Sequence, residues 1–286
     1  MENSFSVVVF CKSHNLNISN IRLLETITNF ANISHIVFPK NRKTDKSDEL
    51  IEFIRLNGII EKCLPYKKNL EETLQLTIEL KKSKPDLMIT YFYPQLISSE
   101  ILAIPNLGTI NFHPAILPDY RGAHVINWMI LKGEKNAGIT LHYIDEGIDT
   151  GDIIHKETIP IEFEDTAFDL EKKVIEKSIQ ILPELLPSIL SGKNKRLKQD
   201  RTNYSYKPRR PEDGEFSWDW DSKRIYNQIR ALVSPWPGAF FFDSTNKKVV
   251  VDFFVPLSEI QRIQDVSLYE DGESLMRHLE NVLPTK

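Results

Sequence analysis

The first half of the chain alternates two hydrophobic periods. FSVVVF at Phe5–Phe10 is an unbroken run of β-branched and aromatic residues, and it predicts a strand buried on both faces. Behind Ser19, Ile21, Leu24, Ile27 and Phe30 recur at helical spacing. Ser34–Phe38 predicts a second strand. Ser47 opens a helix over DELIEFIRL, with Leu50, Ile51, Ile54 and Leu56 as its apolar positions and Gly58 as its stop. Lys62–Leu64 predicts a short third strand, and Leu70–Lys82 a helix that Lys84-Pro85 ends. Asp86–Tyr91 and Thr109–Phe112 read as strands on either side of a helical piece at Ser98–Ile104. Alternating β and α elements imply an α/β, Rossmann-like fold, a mainly parallel sheet with helices on both faces.

Such sheets bind ligands outside the carboxyl ends of their strands. The segments to inspect are Cys11–Asn15, Tyr91–Pro94 and Asn111–Pro118. The first of them contains no glycine, and neither G-x-G-x-x-G nor G-x-x-x-x-G-K-[ST] occurs in the chain. A dinucleotide dehydrogenase or P-loop enzyme is therefore disfavoured despite the fold class.

The second half changes character. Asp165–Leu190 predicts a long amphipathic helix that admits Pro183 and Pro187 only with a kink or break. The stretch from Lys193 to Gly214 is polar, basic and proline-bearing, and reads as a linker or surface segment. Beyond it the pattern gives a helix at Ser222–Leu232, strands near Ala239–Phe242 and Lys247–Phe254, and a short helix at Gly272–Val282. The expected organisation is a catalytic domain over 1–195 and a linker with a smaller α+β or partial-barrel domain over 196–286.

Composition narrows the class. The 286 residues carry a net charge of −4, which argues against a nucleic-acid coat or a polybasic membrane binder. Two cysteines, Cys11 and Cys63, exclude a cysteine-rich zinc framework. No apolar run approaches the roughly 18 residues of a membrane span. MENSFSVVVF has no basic lead, so no secretory signal is expected and a cytoplasmic location is.

The informative stretch is Gly108–Asp152. Asn111 and His113 stand one residue apart at a strand end, so their side chains share a face. Beyond the strand Ile139–Tyr143 lies an acidic loop with Asp145, Glu146, Asp149 and Asp152 around Gly147 and Gly151. Neighbouring strand ends would let Asp149 reach His113. A carboxamide donates hydrogen bonds without ionising, an imidazole moves a proton, and an aspartate beside it fixes the ring. With no Ser or Cys nucleophile in the set, the trio suits direct attack of an amine on an acyl carbon, Asn and His holding the oxyanion. Two other readings stay open. An Asn-x-His pair also occurs as turn residues and satisfied polar groups. A metal site would use His113, His124, His142 and Asp145 or Asp149, although no H-x-x-x-H or C-x-x-C spacing supports it.

NFHPAILPDYRG, followed by INW and GITLHYIDEGIDTGDII, resembles the catalytic core of the folate-dependent formyltransferases. SPWPGAF at Ser234–Phe240 resembles the start of that family's smaller C-terminal domain. The resemblance places the family's catalytic Asn, His and Asp on Asn111, His113 and Asp149. It implies N10-formyltetrahydrofolate as formyl donor, bound by the backbone of Ile89–Tyr93 and Asp145–Asp149 (Ile89, Tyr91, Tyr93, Asp145 and Gly147); no metal is expected, because no ligand cluster has a recognisable spacing. ITYFYPQLISSEIL, Val125–Trp128 and KPRRPEDGEFSW are most similar to the sugar-nucleotide N-formyltransferases. That implies a nucleotide-linked amino sugar as acceptor, a product destined for surface polysaccharide such as lipopolysaccharide O-antigen, and a homodimer. Neither a membrane nor nucleic acid is expected as a partner. Arg121, Gly122, His124 and Asn127 are then the acceptor-binding candidates, with Arg121 suited to a pyrophosphate. Methionyl-tRNA formyltransferase is the alternative, and formyltetrahydrofolate hydrolase a further one.

Overall fold

The computed structural model describes residues 5–12, 17–40, 48–65, 69–200 and 205–282. Residues 13–15 of the first inspected loop, Ser47, and parts of the N-terminus, the basic segment and the tail lie outside them.

The chain folds as two units. One comprises 1–119, 138–157 and 174–203; the other comprises 120–137, 158–173 and 204–286. In the first, β1 (Ser6–Cys11), α1 (Asn17–Thr28), β2 (Asn32–Lys40), α2 (Asp48–Leu56), β3 (Ile60–Pro65), α3 (Leu70–Ser83), β4 (Leu87–Tyr91), α4 (Ser99–Leu102) and β5 (Thr109–His113) follow in order. With β6 (Asn136–Tyr143) and β7 (Ile153–Pro160) the strands form one seven-stranded sheet, β3-β2-β1-β4-β5-β6-β7. β1–β2, β2–β3, β1–β4 and β4–β5 pair in parallel, as alternation predicts. β5 and β6 pair antiparallel.

The two strands at the reversal of strand order are the most apolar. Val7, Val8, Val9, Phe10 and Cys11 of β1 and Leu87, Met88, Ile89 and Tyr91 of β4 are wholly buried. Burial on both faces explains why neither strand shows period-two alternation. α3 is fixed at both ends. Asn69 Oδ1 accepts the Glu71 N–H at 3.1 Å, and Lys84, in the left-handed region, donates its N–H to the Leu80 carbonyl.

α6 (Ala167–Leu190) is continuous through Pro183 and Pro187, so neither proline breaks it. Both prolines lie on the exposed side of the helix. Leu182, Leu186 and Ile189 on the other side are buried and hold the helix together. Three further elements lie beyond those that the pattern predicts. These are α5 (Val125–Lys132), β7, and α8 (Leu257–Asp265). α5 reads VINWMILK and is apolar nearly all round, which hides a helical period.

The second unit also contains α7 (Ser222–Arg230), β8 (Ala239–Phe242), β9 (Lys248–Val251) and α9 (Gly272–Val282). β8 and β9 form an antiparallel pair, so the carboxyl-terminal region combines a two-stranded sheet with helices. Asp221 caps α7, accepting the N–H groups of Lys223 and Arg224.

Candidate active site

The antiparallel β5–β6 pairing builds the site. It sets Asn111 opposite His142 and His113 opposite Thr140. Asn111 and His113 therefore share one face with two β6 side chains, and the loop that leaves β6 brings Asp149 to His113 and His142.

Each side chain is held by an identifiable partner. Thr90, on the parallel neighbour β4, pairs with Asn111 and donates its hydroxyl to Asn111 Oδ1 at 2.6 Å. Asn111 Nδ2 lies 3.1 Å from His142 Nε2. His142 Nδ1 lies 2.7 Å from the Tyr143 carbonyl, which only accepts, so Nδ1 carries the proton. In the neutral ring Nε2 is then the acceptor for Asn111. The carboxamide is thus oriented from both ends, its oxygen to Thr90 and one N–H to His142, with a second N–H proton on the same nitrogen.

Asp149 sits between two imidazoles. Its Oδ2 is 3.5 Å from His113 Nδ1 and its Oδ1 is 3.6 Å from His142 Nε2. The residue has φ +53°, a left-handed conformation that aspartate tolerates better than most residues. The loop around it is tightly wound. Asp145 Oδ1 accepts the Gly147 N–H at 3.0 Å and the Thr150 hydroxyl at 2.5 Å. A Cβ on Gly151 would stand 1.9 Å from the Tyr143 carbonyl oxygen, so only glycine fits there. On the other side, the Thr140 hydroxyl donates to the Ala115 carbonyl at 2.6 Å and accepts the Leu117 N–H at 3.1 Å, pinning the turn after His113.

Asn111, His113 and Asp149 therefore come together as their spacing suggests, with His113 3% exposed. Thr90, Thr140 and His142 complete the cluster. Spacing alone points to His142 only as a metal ligand; cross-strand pairing, invisible to spacing, sets it opposite Asn111. Among the described residues, no group of three or more His, Cys, Asp or Glu is placed to hold a metal ion.

The remaining candidates occupy varied positions. Asp145 and Gly147 lie in the Asp149 loop. Ile89 is buried within β4, paired on both sides, by Val9 and Ile110. Tyr91 is also buried, packed edge-on against Phe92 and Phe112, with its hydroxyl 3.2 Å from Ser178 Oγ; burial pushes its pKa up. Tyr93, two residues past the end of β4, packs edge-on against Phe10 of β1.

Arg121, Gly122, His124 and Asn127 belong to the other unit. Arg121 is 2% exposed, and its carbonyl accepts the Tyr206 N–H at 2.7 Å. His124 Nδ1 accepts the Arg209 N–H at 2.9 Å, and its ring meets the edge of Trp236. Asn127 is wholly buried and donates to the Ala231 carbonyl at 2.7 Å, so in this structure its carboxamide links α5 to the end of α7.

The family model "Formyl transferase" matches residues 6–186, and "Formyl transferase, C-terminal domain" matches 209–267. The chain belongs to the formyl transferase family. It is 38% identical to the bifunctional polymyxin resistance protein ArnA of Wigglesworthia glossinidia brevipalpis over 73% of this chain and 33% of that protein. It is also 38% identical to methionyl-tRNA formyltransferase of Caldanaerobacter subterraneus over 74% of this chain and 70% of that enzyme. Among solved structures it resembles WlaRD, a sugar 3N-formyl transferase crystallised with dTDP and 5-N-formyl-THF. There the TM-score is 0.56 and the identity 26%, over 79% of this chain and 78% of that one. The match thus spans about a third of ArnA's length. The formyl transferase models cover both the Asn111–Asp149 cluster and the β8–β9 region.

Proposed function

We propose that this chain transfers the formyl group of N10-formyltetrahydrofolate to the amine of a nucleotide-linked amino sugar. The observation that carries formyl transfer is the cluster itself: an oriented carboxamide, an imidazole and a carboxylate on adjoining strand ends, with no serine or cysteine nucleophile among them. The acidic balance and the likeness to WlaRD support a sugar nucleotide as the acceptor. The 38% identity to a methionyl-tRNA formyltransferase favours a second reading, with an aminoacyl-tRNA as acceptor.

The donor set fits a formyl donor. When bound, N10-formyltetrahydrofolate supplies an activated one-carbon acyl group. The second N–H of Asn111 Nδ2 is the donor for the negative charge that develops on the formyl oxygen as the amine adds. Asp149 faces His113 Nδ1, so Nε2 is the nitrogen that would exchange a proton with the reacting groups. The attacking amine must arrive neutral, and its proton must finally reach the leaving nitrogen; His113 is the group placed to relay it. Asp149 keeps the ring oriented and favours its protonated form. Asp145, Gly147 and the segment Ile89–Tyr93, at and just beyond the end of β4, are proposed to receive the folate. Arg121, Gly122 and His124 are proposed to meet the nucleotide, and Asn127 to hold the helix behind them. A homodimer in the cytoplasm is part of the same proposal; among the described residues no helix is long and apolar enough to cross a membrane.

The test is a panel. The protein is incubated with N10-formyltetrahydrofolate and, separately, dTDP-, UDP- and GDP-linked amino sugars and methionyl-tRNA, while tetrahydrofolate release is followed. Turnover with a sugar nucleotide, abolished in His113→Asn and Asp149→Asn, is expected. Turnover with methionyl-tRNA alone would replace the sugar reading by the second one. Release of equal size without any acceptor would point to hydrolysis.

A further inference from the structure

The segment leaving α6 reads in the sequence as a linker or surface segment, and residues 195–198 are exposed. Residues 194–199 nevertheless lie along the loop that carries Asp149. The Tyr143 hydroxyl donates to Asn194 Oδ1 at 3.0 Å, and the Arg196 guanidinium stands 3.6 Å from the centre of the Tyr143 ring. Leu197 and Ile153 exchange both backbone hydrogen bonds, each 2.8 Å. Gln199 then closes the strap: its Nε2 donates to the Asp149 carbonyl at 3.0 Å and to the Gly151 carbonyl at 2.6 Å.

The match between group and target is specific. A carboxamide nitrogen carries two protons, and here two carbonyls converge on it from residues either side of Thr150. One belongs to Asp149, whose left-handed backbone has little intrinsic preference for its conformation. The other belongs to Gly151, whose backbone is packed against the Tyr143 carbonyl. Fixing both carbonyls fixes the peptide planes that aim the Asp149 carboxylate between His113 and His142. A glutamate of the same length would present only acceptor oxygens to those carbonyls and would repel them.

We infer that Gln199 is a positioning residue of the active site, acting through Asp149 and touching neither donor nor acceptor. The inference rests on the proposed role of Asp149 in formyl transfer, but not on which acceptor is used.

Two variants test it, Gln199→Met, which keeps the length without the donors, and Gln199→Glu. Hydrogen–deuterium exchange of the full chain is read for peptides covering 144–152. These should exchange about tenfold or more faster than in the wild type, since both hydrogen bonds of the clamp are lost, with peptides of β1 and β4 unchanged. With the acceptor that the wild type uses, kcat should fall about 10- to 100-fold while the donor KM stays within about twofold. In an Asp149→Asn background, adding Gln199→Met should change kcat by less than about twofold, since the residue acts through that carboxylate.

Unchanged exchange of the loop would overturn the clamp. A full multiplicative loss of kcat in the Asp149→Asn background would overturn its action through Asp149. If the wild type transfers formyl to no acceptor, the proposed function fails, and the exchange measurement still decides the clamp. Should Gln199→Met melt below the assay temperature, Gln199→Asn, one methylene too short to reach both carbonyls, carries the same measurements.

Discussion

Asn111 and His142 face each other across the antiparallel pair β5–β6, with Asn111 Nδ2 3.1 Å from His142 Nε2. The contact has a direction. The Tyr143 carbonyl holds the proton on His142 Nδ1, so Nε2 accepts and the carboxamide nitrogen is kept on the side of the site. Thr90 enforces the same orientation from the oxygen end.

Removing the imidazole therefore lets the carboxamide rotate without removing it. His142→Ala should lower kcat about tenfold or more while leaving the donor KM near its wild-type value, the pattern of a contact that matters in the transition state. Thr90→Val, which removes the other orienting bond, should act in the same direction. Steady-state kinetics of both variants check this. Values of kcat within about twofold of wild type in both would show that Asn111 needs no such support.

Parts of this arrangement are legible in the sequence and parts are not. The strands β1, β4 and β5 are short apolar runs bounded by helices of period 3.6, so local pattern suffices to find them. Asn111 and His113 are legible because period two alone places them together, and Asp149 because its loop follows a recognisable strand. His142 and Thr90 are not, because their roles come from strand neighbours far away in sequence: Asn111 pairs with His142 in the antiparallel register and with Thr90 in the parallel one. The same holds for Gln199. Its segment is polar and lacks period, and only tertiary contact distinguishes a strap from a solvated linker. α5 escaped for the opposite reason: a helix buried nearly all round has no polar face to mark its period.

Arg121 tests the proposed acceptor site. It is 2% exposed, so its guanidinium is held within the unit rather than ranging in solvent. A bidentate contact to a diphosphate is worth roughly 1.5–3 kcal/mol. Arg121→Ala should raise the sugar-nucleotide KM about tenfold and leave the folate KM nearly unchanged. Thermal melts run beside the kinetics separate binding from folding: a large fall in Tm with both KM values displaced would assign Arg121 to the interior of its unit.

Gly122, the next residue, is fixed by backbone geometry. Its φ is +104°, and an added Cβ would lie 2.2 Å from the Tyr206 carbonyl oxygen and 2.8 Å from its nitrogen. That backbone cannot move away freely, because the Tyr206 N–H is bonded to the Arg121 carbonyl and the Ala123 N–H to the Tyr206 carbonyl. Gly122→Ala combines an unfavourable conformation with a clash against backbone, and should cost about 2–4 kcal/mol. Denaturant melts should show a lower midpoint. A stability equal to wild type would mean that the bridge between Gly122 and Tyr206 is not formed in solution.

The last prediction concerns pH and a residue of β2 whose role is structural. His35 is 3% exposed, paired with Val8 of β1 on one side and Ile60 of β3 on the other. Burial holds its pKa below the ordinary 6.5; Glu79 pulls the value back up, and Lys62 pushes it further down. The unfolded chain, with an ordinary imidazole, takes up a proton near pH 6.5, whereas the folded chain resists it until lower pH. Over that interval the unfolded state binds more protons, so stability rises with pH. The contribution of neutral His35 is fully present above about pH 6.5 and is lost as pH falls from there through the depressed folded value. Carboxylates titrate mostly lower, which separates the two effects. The Tm of the wild type should therefore drop between about pH 7.5 and pH 5.5, and the drop should shrink in both His35→Gln and His35→Phe, which pack differently but share the absence of a titrating ring. Equal drops in the wild type and both variants would mean that His35 does not carry the pH dependence of this sheet.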